Sequence, residues 1–339
     1  MIYCSNCGEE LPEDAYFCHR CGKITIRGEE EGASPRELPP DWESKIESAV
    51  SKAVRNVEEG LKVAMENIRY GYRDYGRYRV EDSRSFSGSI STPRVFFGVD
   101  NKNGPILVST WEKPEYNLDL LVKATGWTEE EAEENLKELK IDLEEEVVQD
   151  QTRLFLRIDY PTEGSRGYSI EVNVTLPSEA KIELDVNSKN GRISLSKIEG
   201  ETLRMRTSNG RINLDDVKAE RIECKTSNGR IEGKVESMDT SLRTSNGKIY
   251  LDLPCTESGD YKLRTSNGAI ELTVSNAPHV GYDLDLHTSM GKVRVDIPDL
   301  DYGTYRRNIV RAKTRDLEKK DVKVIIEAGT SNGRIRVYS

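Results

Sequence analysis

At 339 residues the chain has material for two or three structural units and an ample core. Its formal net charge of −10, with 32% charged residues, argues against a protein that coats nucleic acid indiscriminately. It contains no run of about 18 apolar residues, which excludes a membrane-spanning helix.

The chain starts Met1-Ile2-Tyr3-Cys4, without a basic–apolar–cleavage pattern, so a cytoplasmic location is expected, with peripheral membrane association left open. Cys4, Cys7, Cys18 and Cys21 form two Cys-x-x-Cys pairs, each followed by glycine. Two residues between thiolates let both sulfurs reach one tetrahedral ion, and the glycine permits a tight turn. Residues 1–27 therefore read as a zinc ribbon that takes its folding free energy from Zn²⁺, about 10–16 kcal/mol for such peptides. The alternative, two disulfides, requires an oxidising compartment. A closed four-thiolate site leaves no position for substrate, so the zinc is structural. Glu9, Glu10, Glu13 and Asp14 against Arg20 and Lys23 favour a docking or structural role over a grip on nucleic acid.

Residues 28–40 read as a linker. Residues 41–79 hold an amphipathic helix and a Tyr/Arg-rich junction. Asp41 caps the helix, and Trp42, Ile46, Val50, Ala53, Val57, Leu61, Ala64 and Ile68 recur at steps of four and three on one stripe. This stripe suits a coiled-coil seam, a membrane-surface helix or a cap on a repeat domain. The mixed charges opposite it, among them Lys45, Glu47, Lys52 and Glu58, favour contact with protein. In the junction Arg69, Arg73, Arg77 and Arg79 interleave with Tyr70, Tyr72, Tyr75 and Tyr78. These types could stack on single-stranded nucleic acid or pack a helix-to-strand junction.

Residues 80–180 read as a mixed β/α part. Turns are expected at Asn103-Gly104 and Lys113-Pro114, strands over 153–159 and 168–176, and a helix from Thr128 with a capping box to Glu131. Ala132, Leu136 and Leu139 give that helix its inner face. The acidic stretch 129–146 lacks a calcium-loop pattern and reads as a solvated face.

Residues 181–339 are organised by a repeated turn. TSNGRI starts at Thr207, Thr226 and Thr330; TSNGKI, TSNGAI and TSMGKV start at Thr244, Thr265 and Thr288; SKNGRI opens at Ser188. The turn glycines are 191, 210, 229, 247, 268, 291 and 333, and the last gap holds one repeat plus an insertion over about residues 299–320. Apolar residues alternate on both sides of each turn, as in Leu203-Met205 and Ile212-Leu214, so each arm is a strand with one buried face. Asn-Gly joins such arms readily because both residues tolerate positive φ. A single unit cannot bury its face alone, but stacked copies can. The expectation is a mainly β chain built on a β-solenoid or a related stack of hairpins.

Stacking should align Asn190, Asn209, Asn228, Asn246, Asn267 and Asn332 into an amide ladder interrupted by Met290, beside a ladder of Thr hydroxyls. Two basic stripes should flank it. One holds Arg192, Arg211, Arg230, Lys248, Lys292 and Arg334 with Ala269; the other holds Arg206, Lys225, Arg243 and Arg264 with His287. They read either as a site for a polyanion (nucleic acid, anionic lipid or an acidic polymer) or as a solvated face paired with Glu183, Asp215, Glu232, Asp252 and Glu271.

The reiterated TSNGxI turns, with IEVNVTLP at 170–177 and NKNGPILVSTW at 101–111, resemble an adhesin-like domain of unknown function found in bacteria and archaea. The resemblance covers residues 86–339 and implies a β-solenoid without catalytic residues. The cysteine segment resembles the short zinc ribbons that begin many prokaryotic proteins. His19, His279 and His287 are too scattered for a triad, and no glycine-rich phosphate loop opens a helix. The reading is a non-enzymatic zinc-binding scaffold that presents a repetitive surface to a protein partner or to itself. A nucleic-acid-associated regulator and a cell-surface adhesin are the alternatives.

Overall fold

The computed structural model describes residues 2–4, 10–11, 78–161 and 167–339. The linker, the stripe of Trp42, Ile46, Val50, Val57, Leu61 and Ile68, and Cys7, Cys18 and Cys21 lie outside the described residues. The chain divides into two units, Met1–Ile68 and Arg69–Ser339. In the first, β1 (Ile2–Tyr3) and β2 (Glu10–Leu11) pair antiparallel, Ile2 opposite Leu11 and Tyr3 opposite Glu10.

The second unit begins with β3 (Tyr78–Ser89), β4 (Arg94–Asn103), β5 (Ile106–Trp111) and β6 (Glu115–Gly126). The helix α1 (Glu129–Glu138) follows, then β7 (Lys140–Val148), β8 (Gln151–Asp159) and β9 (Tyr168–Pro177). Thr128 Oγ1 accepts from the Glu131 amide at 3.1 Å, and the Glu131 carboxylate accepts from the Trp127 amide at 2.7 Å. The box thus closes one residue further back than the cap itself. Ala132 and Leu139 are buried, as the helical spacing requires.

The repeats follow as strand pairs around each turn: β10 (Lys181–Asn190) with β11 (Ile193–Ser196), and β12 (Glu199–Thr207) with the first half of β13 (Ile212–Thr226). Next come β14 (Ile231–Asn246), β15 (Ile249–Leu253), β16 (Gly259–Asn267), β17 (Ile270–Val274), β18 (Val280–Met290) and β19 (Val293–Asp296). A hairpin, β20 (Leu300–Arg306) and β21 (Ile309–Thr314), precedes β22 (Val322–Asn332) and β23 (Ile335–Tyr338). Equivalent strands of successive rungs pair in parallel and in register, Leu203 opposite Ile222 and Ile212 opposite Ile231, so the turns are corners of a coil and not hairpin tips. Inward residues of both arms form one core, in which Ile182, Leu203, Ile212, Ile222, Ile231 and Ile270 are fully buried.

Three expectations are corrected by this packing. The ladder does not open at residue 181, because β10 pairs with β4 from Lys181 opposite Arg94 to Asn190 opposite Asn103, and β11 pairs with β5. The first rung in chain order is therefore residues 94–111. Strands β6 to β9 are an excursion that covers its outer side, with β8 parallel to β4 and β9 parallel to β5.

Spatial order also departs from chain order. Strand β22 lies between β16 and β18, and β23 between β17 and β19. The long gap before Gly333 is the path of a chain that builds an outer rung first and then returns to fill the space beneath it. The hairpin caps that outer rung, β21 pairing antiparallel with β18.

Finally, the turn glycines are not there for positive φ. Of them only Gly104 has it, at 113°. At the others a Cβ would stand 1.7–1.9 Å from the carbonyl oxygen of the glycine in the neighbouring rung, Gly229 against Gly210 being the tightest at 1.7 Å. Left-handed backbone occurs at the other corner, at Lys197, Asp216 and Cys255.

Candidate binding edge

The Asn-Gly corners stack into one continuous edge. Asn190 Nδ2 donates to Asn103 Oδ1 at 2.8 Å, and the same bond repeats through Asn209, Asn228, Asn246, Asn267 and Asn332 at 2.8–2.9 Å. Met290 does not interrupt this ladder. It lies opposite Asn332 on the outer rung, where the ladder stops. Beneath each amide from Asn209 onward a buried threonine donates to the glycine carbonyl of the adjacent rung. Examples are Thr207 to Gly191 and Thr226 to Gly210 at 3.0 Å, and Thr244 to Gly229 at 2.9 Å. The Thr and Gly positions therefore serve the corner itself, while the Ser and Asn positions face outward.

The two basic stripes lie either side of this edge. In one, Arg206, Lys225, Arg243 and Arg264 are direct register partners on neighbouring strands. In the other, the Ile193, Ile212 and Ile231 amides donate to the Arg211, Arg230 and Lys248 carbonyls, which stacks Arg192, Arg211, Arg230 and Lys248 rung on rung. Some of these cations are neutralised. Arg206 meets Asp185 at 3.1 Å, Arg230 meets Glu232 at 2.9 Å, Arg334 meets Glu271 at 2.7 Å, and Arg264 pairs with Glu327. Arg192, Arg211, Lys225, Arg243, Lys248 and Lys292 make no ion pair among the described residues.

Of the acids expected to neutralise the stripes, Glu232 and Glu271 do so. Glu183 instead holds Arg94 at 2.7 Å, and Asp215 accepts from Ser196. Insertion of β22 breaks the stripe of Arg206, Lys225, Arg243 and Arg264: Gly329 falls between Arg264 and His287, whose side chains meet at 3.2 Å across it. A Cβ on Gly329 would stand 2.4 Å from the Arg264 guanidinium, so the glycine makes room for that contact.

The other corner of the coil is different. Lys234 reaches Asp216 at 2.8 Å, which holds that carboxyl below its ordinary range, and Lys218 reaches Glu257 at 2.6 Å. A cleft of about 350 Å³ there is lined by Lys181, Glu199, Glu201, Lys218, Met238 and Glu257. Its lysines are spoken for, Lys181 by Glu201 at 3.8 Å. Cys224 and Cys255 are buried, and burial pushes both thiols up, as suits packing residues.

Two parts of the edge were not singled out from sequence. Asn103 belongs to the ladder, and its Asn-Gly signal was visible. The exposed row Ser208, Ser227 and Ser245 was hidden inside the repeat motif, where nothing separates an outward serine from an inward threonine until the corner is built. In the first unit Cys4 is buried directly after β1, and the six residues between β1 and β2 include both Cys4 and Cys7. Four thiolates in two Cys-x-x-Cys pairs suit a tetrahedral zinc ion.

Fold and edge together define a repeat β-solenoid with an asparagine-ladder corner. The chain belongs to the Toastrack DUF4097 family, whose model matches residues 115–308, more than half of the sequence. A zinc-ribbon domain matches residues 3–24. Among solved structures the chain is similar to a "putative cell adhesion protein" from Clostridium sporogenes (12% identity, 76% of this chain and 99% of that one, TM-score 0.38). It is also similar to a "putative adhesin" from Bacteroides fragilis (11%, 76% and 97%, 0.36) and a "putative lipid binding protein" from Parabacteroides distasonis (12%, 76% and 97%, 0.32). No curated protein matches the chain.

Proposed function

We propose that the protein is a non-enzymatic binding protein whose solenoid edge receives a partner and whose ribbon carries a structural zinc ion. The observation that carries this reading is the edge itself: exposed hydroxyls, amides and unneutralised cations repeat in register along one line, on a frame of fully buried side chains. Family membership and the cysteine set support it. The zinc would be held by the Cys4, Cys7, Cys18 and Cys21 thiolates, and its chemistry there is to fix the ribbon's fold.

The test retains proteins, nucleic acids and glycans from native lysate on the full chain and on the variant Ser227→Trp. Ser227 is exposed at the middle of the edge, so the indole blocks the surface without entering the core. A discrete partner held by the wild type and lost from the variant is expected. Equal retention by both would overturn the edge as the site, and turnover of any retained molecule would overturn the non-enzymatic assignment.

A further inference from the structure

We infer that the edge between Arg192 and Lys248 binds a linear acidic polysaccharide; the inference rests on the binding reading above and names its ligand class. The first ground is electrostatic. Lys225 and Arg243 are direct register partners, and Arg192 stacks on Arg211, without an acidic partner among the described residues. Like charges directly opposite on neighbouring strands oppose folding. The protein has an excess of acid, and at its other corner it pairs lysines with carboxylates. Here it leaves adjacent cations facing water in rows, an arrangement that an anion lying across the rungs relieves.

The second ground is what lies between the cations. Three of the edge's four rungs present a serine hydroxyl, at Ser208, Ser227 and Ser245, that makes no hydrogen bond among the described residues, and the rung of Arg192 presents Lys189 in that place. Each ladder amide spends one N–H and one lone pair on its neighbours, which leaves a second of each for a ligand. The repeat distance is one rung, about 4.8 Å. A ligand that uses all three rows has a hydroxyl or ring oxygen and a negative charge on each short repeat, which describes a uronic or otherwise acidic glycan.

Other polyanions use less of the surface. Single-stranded nucleic acid is held by stacking on aromatic rings. Of the large apolar side chains exposed at these rungs, Tyr250 alone stands within two residues of a stripe. A membrane surface calls for an exposed apolar face, and of the large apolar side chains at these rungs only Met238 and Tyr250 are exposed. Polyphosphate would meet the cations but offers no hydroxyls to the serines and amides.

The experiment titrates the full chain with polygalacturonate, neutral dextran, polyphosphate and double-stranded DNA at two salt concentrations, with the variant Lys225→Ser plus Arg243→Ser alongside. Salt-sensitive binding of polygalacturonate is expected, weakened at least tenfold in the variant, while the variant's melting temperature is equal or higher because the row of like charge is relieved. Unchanged polygalacturonate binding in the variant, or a lower melting temperature, would show the cations to be structural and overturn the inference. Tighter binding of polyphosphate or DNA would overturn the glycan assignment. Failure to bind any of the four overturns the inference too, but leaves the binding reading to the Ser227→Trp comparison.

Discussion

Gly229 has no room for a side chain, since its α-carbon faces the Gly210 carbonyl of the next rung. Two accounts of the turn glycines make opposite predictions here. If positive φ were the requirement, asparagine would be tolerated; if close approach is the requirement, any Cβ is excluded. The structure gives the second account, so Gly229→Ala and Gly229→Asn should each cost about 3 kcal/mol, read as a shift in urea midpoint. Another residue with no slack is Asn101, fully buried where the repeats carry threonine. Its amide donates to the Ile170 carbonyl at 2.7 Å, and its oxygen accepts from Tyr160 Oη at 2.7 Å. Tyr160→Phe leaves that oxygen without the phenol and should cost about 1–3 kcal/mol in the same measurement. The asparagine ladder was legible because a period in sequence becomes a line in space. The reason for glycine was not, because a carbonyl 19 residues away in sequence decides it.

At the scale of strands, alternation identified the inward residues correctly: Ile212, Leu214, Leu203 and Met205 are all buried. Ile212→Ala should therefore cost about 2–5 kcal/mol by leaving a cavity between rungs that stack above and below it. The site of the last rung was hidden from any reading in chain order. Residues 322–339 carry the same motif as their neighbours, and periodicity alone places them last. Hydrogen bonding places them between β16 and β18, and between β17 and β19. A chain lacking residues 322–339 would leave those four strands facing an empty slot. We expect its amides in β18, β19 and β21 to exchange rapidly with solvent while β10 to β14 keep their protection.

Over the whole molecule, buried phenols set the alkaline limit. Burial pushes Tyr160 from its ordinary 10 up to about 12, and burial together with a hydrogen bond to Glu145 does the same to Tyr116. Burial also raises Tyr261 and Tyr282. The unfolded chain ionises these groups from about pH 10, so the folded form gains from holding them neutral below that pH and loses the gain as pH rises toward 12. Urea midpoints should fall above about pH 10, and less steeply in a Tyr116→Phe, Tyr160→Phe double variant measured against its own neutral value. On the proposed zinc assignment the two units would have separate sources of stability, thiolate–metal bonds in the ribbon and a stacked apolar core in the solenoid. Cys4→Ser should abolish zinc uptake, measured as metal per chain, and leave the β signal in circular dichroism unchanged.

The returning rung has a consequence for the order of assembly. A coil that stacks in chain order can lengthen as it leaves the ribosome, each new turn resting on the last. Here that process halts at β17. The next strands to emerge, β18 and β19, have no earlier rung to rest on until β22 and β23 have been made and have slid in beneath them, although β21 pairs with the other side of β18. One end of the molecule is thus completed from the outside inward, and its exposed edges stay open to other chains for as long as residues 280–321 are waiting. The polar, charge-bearing β20–β21 hairpin, with Arg311 on Asp285 and Lys313 on Asp283, covers the outer edge during that interval.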